Sequence, residues 1–149
     1  MPSPRVELRF PGTHAGFEQA FERLREALDA HGLAGAPRFD TELVFEEVVA
    51  NIVNHGAVPG RTLDVRVTLE ARPDSIGLTF DDDGVPFDPR NSAPPAPLRL
   101  DEERIGGFGL VLVRHAAQSL DYRRTATGRN HLTVTLRREA APVTSSGVT

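Results

Sequence analysis

Apolar and polar positions alternate strictly along residues 5–10, Arg-Val-Glu-Leu-Arg-Phe, which predicts a strand closed by Pro11-Gly12. The period then lengthens. Phe17, Phe21, Leu24 and Leu28 recur at helical spacing, Thr13 is suited to the N-cap, and Gly32 supplies the stop, so a helix is expected to about His31. Past a linker at Gly35-Ala36-Pro37, a second helix is predicted from Phe39 to Gly56, with Asp40 or Thr41 as N-cap. Val44, Val48 and Ile52 form one i,i+4 row and Phe45, Val49 and Val53 another, giving a wide buried face.

Alternation returns over residues 62–70, with Leu63, Val65, Val67 and Leu69 on one face. Pro73-Asp74-Ser75 turns the chain, and residues 76–80 come back as a hairpin partner that runs into Asp81-Asp82-Asp83-Gly84. From Val85 to about Glu103 the prolines at 86, 89, 94, 95 and 97 forbid regular structure, and an irregular stretch of that length is a mark of function or disorder. Ile105-Gly106-Gly107-Phe108-Gly109 opens a third helix through about Gln118. Strands follow at 120–124 and 131–137, joined by the turn Thr127-Gly128-Arg129-Asn130, and residues 139–149 read as a disordered tail. The order β-α-α-β-β-loop-α-β-β predicts an α/β (α+β) two-layer sandwich: a mostly antiparallel sheet covered by helices on one face. Its other face should be solvated or meet a partner.

Composition narrows the function classes. At 149 residues, 39% hydrophobic and 26% charged, the chain is expected to form one domain over about 5–138 with a loop at about 85–105. A net charge of −4 offers no basic stripe for nucleic acid. No apolar run approaches the roughly 18 residues of a membrane span, and no leader is seen at the N-terminus. The absence of cysteine excludes disulfides, thiolate metal sites and cysteine nucleophiles, and fits a reducing cytoplasm.

Three stretches carry candidate chemistry. On the second helix Glu47 and Asn51 stand one turn apart beside the apolar face, where a carboxylate and a carboxamide together suit a hydrated Mg²⁺. Alone, polar residues on the wet side of a helix need no such explanation. By alternation with Leu78 and Phe80, Asp82 faces inward and could accept a hydrogen bond from an exocyclic amine, although Asp before Gly is also an ordinary turn. Gly106, Gly107 and Gly109 precede a helix N-terminus and allow backbone to approach phosphate. A flexible hinge is the plainer reading of that stretch.

Taken together, Glu47-x-x-x-Asn51 with His55-Gly56, Asp82-x-Gly84-x-Pro86-Phe87-Asp88, and Arg104-Ile105-Gly106-Gly107-Phe108-Gly109-Leu110 resemble the N, G1 and G2 boxes of the GHKL (histidine-kinase-like) ATPase superfamily. Within it they are most similar to the anti-sigma-factor serine/threonine kinases. The resemblance implies the Bergerat-type ATP-binding fold, ATP and Mg²⁺ as cofactors, Asn51 on the metal and Glu47 as catalytic base or water-positioner. It also implies Asp82 on the adenine amine, Gly84 keeping the approach open, residues 85–103 as a lid, and Gly107, Phe108, Gly109 and Leu110 at the phosphates. Pro86, Arg104 and Gly106 complete the nucleotide-binding set, and Thr133 or Thr135 would assist at the adenine through water.

Three features depart from the family pattern, one being His55 after Asn51, which reads as a capping or packing histidine or as a ligand. Pro86 stands where a second glycine is expected, and one extra residue separates Arg104 from Gly109. The implied partners are an anti-sigma-factor antagonist of STAS type, a sigma factor and a second copy of the chain, with no nucleic acid and no membrane. The implied activity is phosphorylation of the antagonist. A nucleotide-binding switch without efficient transfer is the alternative, and an acidic residue at Glu47 favours the kinase. A sensor histidine kinase core is disfavoured, because no histidine sits on a preceding helix pair suited to dimerisation.

Overall fold

The computed structural model describes residues 5–88 and 109–138, the side chains of 109–111 excepted. The described elements are β1 (Arg5–Pro11), α1 (His14–Ala30), α2 (Gly35–His55), β2 (Asp64–Ala71), β3 (Ser75–Asp82), α3 (Gly109–Ala116), β4 (Ser119–Arg124) and β5 (Asn130–Arg137). The strands form one sheet in the order β1-β2-β3-β5-β4, with every pairing antiparallel. This is the sandwich the pattern predicts.

The register explains why the described helices share one face of the sheet. Leu8, Val67, Phe80, Leu132 and Tyr122 lie side by side across it, and the next row is Val6, Leu69, Leu78, Val134 and Leu120. These rows share one core with Leu24 and Leu28 of α1, Val44, Phe45, Val48 and Val49 of α2, and Val113 of α3. Since strand side chains alternate in direction, the intervening residues must face away. That opposite face carries the row Glu7, Thr68, Thr79, Thr133 and Asp121.

Phe45 fixes α2 on the sheet. It is fully buried, and its ring centroid lies 5.9–6.3 Å from those of Phe10, Phe17, Phe21 and Phe80. Aromatic pairs of this kind add about 0.5–1.5 kcal/mol each beyond their area burial. These contacts seat α2 on the sheet, and its next two turns carry the candidate chemistry.

The strand and helix bounds differ from the sequence pattern chiefly at α2. It starts at Gly35 rather than Phe39, its N-cap is Ala34, and no side chain caps it. Pro37 was expected in a linker but occupies the first turn, where its missing N–H leaves no helical bond unmade. Thr41 does not cap; its Oγ1 donates 2.7 Å to the Pro37 carbonyl. Thr13 caps α1 as expected, its side chain accepting from the Gly16 amide. Strand β5 begins at Asn130, so that residue belongs to the sheet and not to the turn before it. The start of the third helix at Ile105–Phe108, most of the lid and the tail from 139 lie outside the described residues. Among those described, no helix is long and apolar enough to cross a membrane.

Candidate functional site

One end of the sheet departs from the apolar rule. The terminal row on the helix-covered face runs Phe10, Val65, Asp82, Asn130 and Arg124, so its second half is polar. Above it opens a pocket of about 440 Å³, its mouth included. Val48, Asn51 and Ile52 of α2 form one wall, Phe80, Asp82, Asn130, Leu132 and Tyr122 the floor, and Val85 and Phe87 the rim.

Asp82 is 4% exposed. Its Oδ1 accepts from the Gly84 amide at 2.8 Å and from Asn130 Nδ2 at 3.0 Å, and these are its hydrogen bonds among the described residues. Burial pushes its carboxyl above the usual carboxylate range, against the pull of those two bonds and of Arg129. An acceptor oxygen, Oδ2, is thus left over in a pocket with apolar walls.

The other two aspartates of the triplet have different fates. Asp83 Oδ2 is paired with Arg61 at 2.7 Å and its Oδ1 accepts from the Asp64 amide at 2.8 Å. On the open face, Asp81 is paired with Arg129 and approached by His131 Nδ1 at 3.3 Å. Alternation sends Asp82 inward and Asp81 outward, so the like charges do not share one environment.

The loop after β3 is docked against the end of α2. Gly84 is buried, and a Cβ there would stand 2.6 Å from the Gly56 carbonyl oxygen and 2.9 Å from Asp82 Oδ1. Only glycine lets the two segments approach so closely. The Val85 amide donates to that Gly56 oxygen at 3.2 Å. Next to it, His55 stacks on Phe87 with centroids 5.7 Å apart, a packing role.

On α2, Asn51 is 5% exposed and its Nδ2 donates 2.8 Å to the Glu47 carbonyl. That bond leaves Oδ1, a hard oxygen, as the free end of the amide. One turn back, the Glu47 side chain is half-buried, and its Oε2 is buried without a hydrogen-bond partner. Burial, and secondarily the charge of Glu46, raise the Glu47 carboxyl above its ordinary range. An unpartnered buried carboxylate oxygen is costly, and such groups concentrate where a ligand or a proton is handled. No group of three or more His, Asp or Glu that could hold a metal occurs among the described residues.

The sequence-predicted site is therefore brought together in part. Asn51 and Asp82 line the pocket, Glu47 stands one turn from Asn51, and Gly84 shapes the floor from behind. Pro86 is exposed between the two rim residues and does not line the pocket. Gly109 begins the described part of α3; the Leu110 side chain and Arg104, Gly106, Gly107 and Phe108 lie outside the described residues. Thr133 and Thr135 require correction. Strand parity puts them on the open face, opposite Thr79 and Gly77, while Asp82 pairs with Asn130 on the pocket side.

Asn130, rather than Thr133 or Thr135, is the polar side chain that β5 places beside Asp82. Its Oδ1 accepts from Tyr122 Oη at 2.5 Å, Arg124 Nη1 at 3.2 Å and the Phe87 amide at 3.3 Å, while Nδ2 also donates to the Val85 carbonyl at 2.8 Å. The signal was available: Asn130, Leu132, Val134 and Leu136 share one parity, and a lone amide heading an apolar row is out of place unless bonded.

These groups fit a purine nucleotide. The apolar walls suit a flat base, Asp82 Oδ2 suits an amine, and Asn51 Oδ1 suits a metal shared with phosphates. The sequence profile of the histidine kinase-like ATPase domain matches residues 10–136, and the chain belongs to that family. An ATPase domain implies ATP binding. The chain is also similar to the serine/threonine-protein kinase BtrW of Bordetella bronchiseptica, 37% identical over 99 residues, which are 66% of this chain and 69% of BtrW. Family and relative together support an ATP-binding, kinase-like role.

Proposed function

We propose that this protein is a cytoplasmic, ATP-dependent serine/threonine protein kinase. Its substrate is an anti-sigma-factor antagonist of STAS type, and it holds a sigma factor once that antagonist is phosphorylated. Asp82 reads the base, and Asn51 Oδ1 contributes to a Mg²⁺ ion whose remaining ligands are phosphate oxygens and water. When bound, that ion would supply charge neutralisation at the phosphates.

The observation that carries the kinase reading is the half-buried Glu47 carboxylate, raised above its ordinary range and bearing a buried oxygen with no partner. A carboxylate so tuned is a better proton acceptor near neutral pH than an exposed one. It takes the proton from the attacking hydroxyl as the new oxygen–phosphorus bond forms and the bond to ADP breaks. The proton then passes to water. A homodimer is part of the same reading, and β1, an edge strand beside α1, is where a second copy would sit.

The test is incubation of the purified protein with γ-labelled ATP, Mg²⁺ and a panel of small STAS-type proteins from the same genome. Label on a serine or threonine of one of them is the expected result. ATP binding with no label on any of them would replace the kinase with a nucleotide-dependent binding switch.

A further inference from the structure

We infer that Asn130 is a positioning residue that selects the nucleobase by locking the Asp82 carboxylate so that one oxygen alone is offered to the pocket. The inference rests on the nucleotide reading above and adds a specificity determinant to it. Asn130 has nothing left for a ligand. Both hydrogens of Nδ2 are used, on Asp82 Oδ1 and the Val85 carbonyl, and Oδ1 accepts from Tyr122, Arg124 and the Phe87 amide. The amide cannot flip, because a flip would turn its NH₂ toward three donors and its oxygen toward two acceptors. It therefore acts on the base only through Asp82.

Locked in this way, Asp82 has one oxygen tied to Asn130 and the Gly84 amide and the other free as a pure acceptor. A 6-amino purine gains a hydrogen bond there. A purine without the amine leaves a buried acceptor unpaired, and a 6-oxo purine sets lone pair against lone pair. The lock reaches across three strands, since Tyr122 and Arg124 belong to the edge strand β4 and Arg124 Nη1 also donates 2.8 Å to the Gly84 carbonyl. Without it the carboxylate can rotate and either oxygen can turn from the pocket.

The experiment is calorimetric titration of ATP and of purine riboside triphosphate, which lacks the 6-amine, into wild type, Asn130→Ala and Tyr122→Phe. Wild type should prefer ATP by about 10- to 100-fold. In Asn130→Ala that ratio should fall to within about threefold, through weaker ATP binding, with the amine-free analogue nearly unaffected. Tyr122→Phe, which removes a single hydroxyl, should lower the ratio by a smaller factor and decides the matter if Asn130→Ala does not fold. An equal fall for both nucleotides, with the ratio intact, would show that Asn130 merely supports the fold and would overturn the inference. Wild type binding both nucleotides equally would overturn it while leaving ATP binding in place. Wild type binding neither would remove the nucleotide reading itself.

Discussion

The pocket and the open face of the sheet treat acidic residues in opposite ways. On the open face, burial pushes the Asp64 carboxyl up, but the hydrogen bond from Arg9 at 2.9 Å and the charges of Arg9, Arg129 and Arg66 bring it below its ordinary range. Asp81, on the same face, is ion-paired with Arg129. Asp82 on the pocket floor and Glu47, one turn from the pocket residue Asn51, have no arginine within ion-pairing distance among the described residues, and both are raised. The same fold that places a guanidinium beside an outward aspartate leaves its inward acids without one. What this teaches is that a guanidinium within ion-pairing distance decides which way a part-buried acid is shifted: down where one is present, up where burial acts without one.

The largest break in that contrast should come from Glu47→Gln. The amide keeps the shape but cannot take a proton, so phosphotransfer should fall by about 10²- to 10⁴-fold. ATP affinity measured by calorimetry should change by less than about threefold, a range within which uniform binding is unaltered. Retained transfer would end the general-base role.

Next in size is Asp82→Asn. With Asn130 Nδ2 and the Gly84 amide both donating to position 82, the new side chain must turn its oxygen to them and its NH₂ to the pocket. A donor then faces the adenine amine, and ATP affinity should fall by roughly 5- to 150-fold, the range for leaving a buried polar group unpaired. The same variant tests the stability side. Because the folded-state value lies above the ordinary 3.8, the folded protein holds more protons than the unfolded chain between the two values. The contribution of Asp82 is thus fully present below about the unfolded value and is lost as pH rises through the folded one. The variant should melt higher than wild type at pH 7, and the difference should shrink as pH falls toward that ordinary value. A Tm difference that grows in acid would reverse the sign of the argument.

Gly84→Ala asks how firmly the two walls are joined. A Cβ placed 2.6 Å from the Gly56 oxygen meets backbone, so the loop must shift. Overpacking of this kind costs about 1–3 kcal/mol. For a chain of this size each kcal/mol lowers Tm by about 2–4 °C, measurable in a thermal melt. Unchanged Tm would mean that the loop is not held against α2.

How much of this was legible beforehand follows from what each signal depends on. Periodicity found every described element, because a one-sided core imposes strict alternation on strands and i,i+4 rows on helices. It misplaced the start of α2, since Pro37 reads as a breaker although it is harmless in a first turn. Asp82 and Asn51 were legible as local pattern. Asn130 was legible only as an inward amide by parity, for its importance lies in partners 6 to 48 residues away in sequence, from Arg124 to Asp82. The inward direction of Asp82 on β3 follows from alternation with Leu78 and Phe80, while β5 starts at Asn130, one residue earlier than the sequence pattern suggests.

Thr133 shows what parity alone decides. It pairs with Thr79 on β3 and with Asp121 on β4, three residues beyond Asn130 and hence on the other side of the sheet from Asp82. The backbone itself separates its hydroxyl from the pocket. Thr133→Val keeps the β-branched shape and strand preference while removing the hydroxyl. ATP affinity should therefore stay within about twofold of wild type, and stability within about 0.5 kcal/mol, as for surface changes generally. A tenfold loss of ATP affinity would require the hydroxyl to reach the base, which no β5 register placing Asn130 against Asp82 permits, and the whole pairing of β3 with β5 would have to slip by one residue. The smallest expected effect thus bears on the assignment from which the pocket floor is built.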